Sequence, residues 1–148
     1  MEPDGTFEVP LAPAQTNGEV LSVVLIDGDG NASPSASFTA DDSSAPTAPG
    51  GLTITPGGNA IQGTGEAGST VEVRLTDGTL VGTIVVPAGG SFTVPLSPAQ
   101  LDGQSLNVTL TDTAGNVSLP GQINAPDITP PAAPTGVLVS PDRRNLTG

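Results

Sequence analysis

Fifteen carboxylates face three arginines in this chain, with no histidine and no cysteine, so oxygen chemistry is nearly all that it can offer. Carboxylates set in loops suit hard divalent cations, since calcium takes about six to eight oxygens from carboxylates, carbonyls and water. The same inventory argues against catalysis. Without imidazole or thiol there is no common general base or sulfur nucleophile, and without tryptophan or tyrosine no aromatic wall lines a sugar cleft around a carboxylate pair. The expectation is a chain that is not an enzyme and not a carbohydrate-binding module. A net charge of −12 repels phosphate backbones and anionic lipid, which removes nucleic acid as a partner. The longest aliphatic run, Val23-Val24-Leu25-Ile26, is far below the roughly 20 residues of a membrane helix, so no direct membrane insertion is expected. Met1-Glu2-Pro3-Asp4 lacks the basic and apolar regions of a secretory signal, and export must be encoded elsewhere.

The acids are carried by a chain that repeats itself. Residues 5–63 align without a gap on residues 90–148, an offset of 85, and 24 of the 59 pairs are identical. The clearest block sets Gly5-Thr6-Phe7-Glu8-Val9-Pro10-Leu11 against Gly90-Ser91-Phe92-Thr93-Val94-Pro95-Leu96. That period exceeds the roughly 20 to 50 residues of a solenoid unit and matches a small domain. Twenty glycines and 16 prolines among short runs of Val, Thr, Leu and Ile describe strands divided by turns. One full period predicts seven strands, at 52–55, 60–65, 70–76, 80–86, 91–95, 104–111 and 117–124. Thr70-Val71-Glu72-Val73-Arg74-Leu75-Thr76 alternates with period two, as a half-buried antiparallel strand does. Pro98-Ala99-Gln100 suggests one helical turn at the corner after the fifth strand. The fold class is all-β, an immunoglobulin-like seven-stranded β-sandwich in tandem repeats of 85 residues. With no cysteine and three phenylalanines, each unit relies on a small aliphatic core and should be only marginally stable by itself.

Proline-rich segments separate the units: Ser43-Ser44-Ala45-Pro46-Thr47-Ala48-Pro49 corresponds to Ile128-Thr129-Pro130-Pro131-Ala132-Ala133-Pro134. Such density favours a stiff, extended connection and an array shaped as a rod. The parse is the back part of one repeat at 1–42, a complete repeat at 43–127 and the front of the next at 128–148. Even combined, the two partial repeats lack equivalents of residues 64–85.

Three motifs carry a resemblance: Thr129-Pro130-Pro131-Ala132-Ala133-Pro134-Thr135-Gly136, Gly63-Thr64-Gly65-Glu66-Ala67-Gly68-Ser69-Thr70-Val71, and Thr111-Asp112-Thr113-Ala114-Gly115-Asn116-Val117-Ser118. Together the chain resembles the bacterial immunoglobulin-like repeats that build the stalks of giant type I-secreted adhesins and biofilm-associated surface proteins. The resemblance implies an extracellular stalk, at the cell surface or in a secreted filament, stiffened by calcium at domain junctions. The first copy departs from the third motif, with Asp27-Gly28-Asp29-Gly30-Asn31 in place of Asp112-Thr113-Ala114-Gly115-Asn116, which puts identical ligation at successive junctions in question.

Sandwich topology says which acids can meet. The first strand begins at the end of the domain that carries the loops of Glu66 and Asp112, so these two acids should approach Asp41 and Asp42, with Asn17 offered by the preceding unit. The next junction would use Asp127, Asp102 and Asp77. Each acid has a plainer reading: Asp77 and Asp102 precede glycine as turn residues do, Asp41 and Asp42 suit a solvated linker, and Asp112 and Glu66 suit loop hydrogen bonding. Asp27 and Asp29 join the candidate ligands, although their loop is no EF-hand, having Ala32 where glycine is needed and Phe38 where a bidentate glutamate is needed. Asn31, Asn107, Asn116 and Asn145 open Asn-X-Ser/Thr triplets, and for Asn31 and Asn116, each after a glycine, turn geometry is the expected role.

The first functional reading is a spacer whose partners are neighbouring repeats of the same chain, supporting adhesion or biofilm formation through a tip outside this sequence. The second is a binding module that meets other stalks, or host or biofilm matrix, through a sheet edge or exposed face. A third places the repeats as spacers within a secreted enzyme.

Overall fold

A computed structural model describes residues 6–141 and 143–148, which leaves Gly5, where the repeat alignment starts, outside the described residues. Every regular element in it is a strand. In the first unit β1 (Val20–Val23) pairs antiparallel with β2 (Ala36–Thr39). The central unit holds β3 (Gly50–Ile54), β4 (Ala60–Thr64), β5 (Thr70–Leu75), β6 (Leu80–Val85), β7 (Ser91–Pro95), β8 (Ser105–Thr111) and β9 (Gly121–Asn124). The last unit contributes β10 (Leu138–Val139) and β11 (Leu146–Thr147).

In the central unit two antiparallel sheets, β3-β4-β7 and β6-β5-β8-β9, enclose one core. Alternation builds it: Val71 and Val73 of β5, Val94 of β7, and Leu106, Val108 and Leu110 of β8 have no exposed surface, while Glu72 and Arg74 turn outward and meet at 3.1 Å. Ile61, Phe92 and Leu96 complete the filling from the opposite sheet. This is an all-β, immunoglobulin-like sandwich. Its fourth strand, β6, joins β5 in the second sheet, whereas a constant-type immunoglobulin domain places it in the first.

Two local expectations need correction. The last strand starts at Gly121 rather than at Val117, because the Ser118 hydroxyl takes over the pairing: it accepts the Leu110 N–H at 2.9 Å while the Ser118 N–H donates to the Leu110 carbonyl at 2.8 Å, and Pro120 has no N–H to give. The corner at Pro98-Ala99-Gln100 is a bend, not a helical turn. Its Gln100 N–H is taken by the Gly58 carbonyl at 2.8 Å, and the Gln100 side chain donates to the Pro98 carbonyl at 2.7 Å.

The outer units reproduce the central one residue by residue. The β1/β2 register, Val20↔Thr39 to Val23↔Ala36, is the β8/β9 register, Ser105↔Asn124 to Val108↔Gly121, moved by the 85-residue offset. Likewise Leu138↔Thr147 and Val139↔Leu146 repeat Thr53↔Gln62 and Ile54↔Ile61. Burial does not follow: Val94 is fully buried but Val9 is 62% exposed, since the first unit lacks the strands that would cover it.

Candidate functional site: the interdomain junction

The loop from Asp112 to Asn116 is a closed hydrogen-bonded ring. Asp112 Oδ1 accepts the N–H groups of Ala114 and Asn116 at 2.9 and 2.8 Å, and Oδ2 accepts Asn116 Nδ2 at 2.9 Å. Gly115 turns the chain with φ 95°, a conformation that favours glycine. Desolvation pushes the Asp112 carboxyl up, and the hydrogen bonds from the Asn116 side chain and the loop N–H groups outweigh it, holding it below the usual carboxylate range.

The first copy forms the same ring. Asp27 Oδ1 accepts from the N–H groups of Asp29 and Asn31 at 3.0 and 2.8 Å, Oδ2 accepts Asn31 Nδ2 at 2.9 Å, and Gly30 has φ 90°. The Asn31 side chain is the main cause that lowers the Asp27 carboxyl. The departure of Gly28 and Asp29 from Thr113 and Ala114 is therefore structurally silent: residues at those positions supply backbone only, and Asp-x-x-Gly-Asn is the working motif.

Asn116 reaches beyond its loop. Its amide also donates to the backbone carbonyl of Asp42, at 3.2 Å, where the preceding unit ends. Asp42 is itself tied back, bridging to Asn17 in the antiparallel sense and accepting the Ser44 N–H on Oδ1 at 3.1 Å. The Ser43 N–H and the Ser44 hydroxyl both donate to the Thr16 carbonyl, at 2.8 and 3.0 Å. A continuous path thus runs from the corner of the first unit through Asp42 and Asn116 to Asp112. Pro46 and Pro49 are buried, and Pro49 lies against Gly121 of β9, so the connection is packed where it enters the central unit. The downstream exit repeats the first half of this path: Asp102 bridges to Asp127, and the Ile128 N–H and Thr129 hydroxyl donate to the Leu101 carbonyl at 2.9 and 3.1 Å.

Of the expected ligands, Asp42 and Asp112 are brought together, through Asn116. Asp41 and Glu66 are exposed, and the Glu66 carbonyl serves its own turn by accepting the Ser69 N–H at 3.2 Å. Asp77 closes a turn by accepting the Thr79 N–H at 2.8 Å, the contact that chiefly lowers its carboxyl. The Asp102 N–H donates to Gln104 Oε1 at 2.9 Å. Among the described residues no group of three acids stands together, and Asp42 and Asp112 are the pair that the junction draws near each other. The residue that sequence reasoning assigned to turn geometry alone, Asn116, is the one that links the units.

A family model described as bacterial Ig domain matches residues 1–42 and 45–127. No curated protein matches the sequence. Among solved structures, a biofilm associated protein, BSP domain, aligns with a TM-score of 0.50 at 23% identity over 76% of this chain and 20% of that one. A chain described as a protease aligns with a TM-score of 0.41 at 22% identity over 60% of this chain and 21% of that one. This chain spans about a fifth of the length of these two structures. With both matched segments falling on the repeat and the sandwich seen directly, the chain belongs to the bacterial Ig domain family, a structural rather than enzymatic class of domain.

Proposed function

We propose that this chain is a spacer segment of a bacterial surface adhesin, in which tandem Ig domains are held end to end outside the cell and set the reach of a binding region elsewhere. The observation that carries the reading is the hydrogen bond from Asn116 to the Asp42 carbonyl, with the Thr16 and Leu101 anchors repeated at successive exits. A spacer needs a junction that resists bending, and a side chain locked in its own loop ring provides one, because little rotamer entropy is lost in making the contact. The name of the biofilm associated neighbour supports the adhesin context, and the partners in this reading are the neighbouring repeats of the same chain.

Small-angle scattering tests the extended form. A compact protein of this length has a radius of gyration of about 15 Å, and the chain should exceed that clearly. Asn116→Ala should lower the value and broaden the distribution of interdomain angles. Asn31→Ala loses the same loop bond without the junction contact and should leave the shape unchanged. If both variants scatter alike, the junction contact does not set the shape.

Calcium is the second reading, favoured by the single fact that Asn116 draws Asp42 and Asp112 to one place. It needs Glu66 or Asp41 to move toward them, with backbone carbonyls completing the shell. Calcium should then raise the melting temperature beyond what magnesium does at equal ionic strength, and Asp112→Ala should remove the difference. An equal rise with both ions leaves Asn116 as the tie.

A further inference from the structure

The central repeat holds all seven of its strands, and one of its sheet edges stands half open. β6 ends the four-stranded sheet and pairs with β5 in the register Val71↔Ile84 and Glu72↔Thr83. Beyond its last residue the Val86 N–H donates to the Ser69 carbonyl at 2.9 Å, on the β5 side. The Val81 carbonyl is taken from the opposite side, by the N–H of Ser97 at 2.8 Å. Alternate residues of an antiparallel strand bond to opposite neighbours, so Ile84 joins Val86 in facing β5, while Thr83 and Val85 join Val81 in facing away. Ser97 closes the edge at Val81. No hydrogen bond among the described residues closes it at the Thr83 and Val85 backbone, and both residues are exposed. Edges are usually guarded by lysine or proline, and Leu80–Val85 holds neither.

Charge says what fits there. Gly78 to Leu101 is the longest run without a charged residue in a chain of net charge −12. The nearest charges on β5, Glu72 and Arg74, pair with each other at 3.1 Å. A second copy, repelled elsewhere, meets no net charge at this edge. We therefore infer that the open half of β6 pairs antiparallel with β6 of a second copy, about a twofold axis at Ile84. Thr83 of each copy then faces Val85 of the other, and each exchanges its N–H and C=O with its opposite. The register is its own complement, as an isologous contact requires, so the assembly closes at a dimer. The contact is short, which makes the association weak and concentration-dependent. Antiparallel strands set the two domains pointing in opposite directions. On the spacer reading above, on which only this last step rests, the pairing suits stalks that meet from facing cells.

Sedimentation velocity and hydrogen exchange test it on the full chain. The mass should rise with concentration towards that of a dimer and no further. At the same time exchange of the Thr83 and Val85 amides should slow, while the amides of β3, an end strand of the other sheet, keep their rates. Val85→Lys should return the chain to monomer, although it lowers the net charge that keeps copies apart. Leu119→Lys, the same change of charge at a residue 79% exposed, should leave the dimer intact. A chain that stays monomeric at its solubility limit would leave the edge to a foreign strand and overturn the inference. So would growth beyond a dimer, association that survives Val85→Lys, or a dimer in which the two amides exchange at their monomer rates. None of these results touches the spacer reading, which scattering decides separately.

Discussion

Replacing Leu110 by alanine is expected to cost the central domain about 2 to 5 kcal/mol, whereas the same change at Leu25, its counterpart 85 residues earlier, should cost less than about 1 kcal/mol. The two residues share a position in the repeat, a hydrogen-bonded partner serine and the loop that follows. They differ in cover. Leu110 has no exposed surface and packs so closely under the β4 exit that a Cβ added at Gly65 would lie 2.6 Å from one of its methyl groups. Leu25 is 42% exposed. Truncating the first leaves a cavity in a close-packed interior, while truncating the second removes surface that water already wets. A domain of this size is stable by about 4 to 13 kcal/mol, so the Leu110 variant should lose a large share of it. Calorimetric or circular-dichroism melting reads the effect, the chain having no tryptophan to report by fluorescence. Equal losses at both positions would mean that residues 6–42 enclose a core of their own, contrary to the exposure of Phe7, Val9 and Phe38.

Most of this fold is readable in the sequence, since period-two alternation and turn chemistry act locally. Thr70 to Leu75 shows the alternation and forms β5, and the Gly89-Gly90 turn precedes β7 where expected. Expectation fails where a side chain replaces the backbone. Nothing in the run from Val117 to Asn124 says that a serine hydroxyl will accept the Leu110 N–H and delay the strand by four residues. That signal emerges only in comparison, because Ser33 and Ser118 are identical at the offset, and Ser33 accepts the Leu25 N–H at 3.0 Å in the same way. The corner at Gln100 fails for a related reason: its backbone N–H is bonded 42 residues back, at Gly58, a long-range demand that no local propensity contains.

The junction was legible in part. Strand order fixes which loops share an end, and the Asn116 amide of the Asp112 loop meets the Asp42 carbonyl there. The contact there is made by a neighbour of the acid, Asn116. The net charge points to the carboxylates, yet a carboxylate four residues before an asparagine across a glycine turn satisfies itself, and it is the amide, with two hydrogens to donate, that has one left for Asp42.

Gly58→Ala should be the most damaging glycine-to-alanine change among the described residues, costing at least about 3 kcal/mol. Two penalties are possible there, and the repeat separates them. Gly58 has φ 62°, which disfavours any residue with a Cβ, but Arg143, at the same position one repeat later, holds φ 60°. The conformation itself is therefore tolerated. The larger obstacle is steric: a Cβ on Gly58 would stand 2.0 Å from the Gln100 carbonyl oxygen and 2.8 Å from its carbon, and both are backbone atoms. Making room means moving the corner that carries Gln100 and Leu101, which breaks the Gln100 N–H bond to the Gly58 carbonyl and shifts the Leu101 carbonyl that anchors Ile128 and Thr129. One methyl group should thus both destabilise the central domain and loosen its downstream exit. The comparison variant is Arg143→Gly, which relieves the same backbone conformation where no such corner lies against it among the described residues, and it should change melting by less than about 1 kcal/mol. A mild effect of Gly58→Ala, near the roughly 1 kcal/mol expected of conformation alone, would show that the corner can yield and that the exit is less firmly held than its hydrogen bonds suggest.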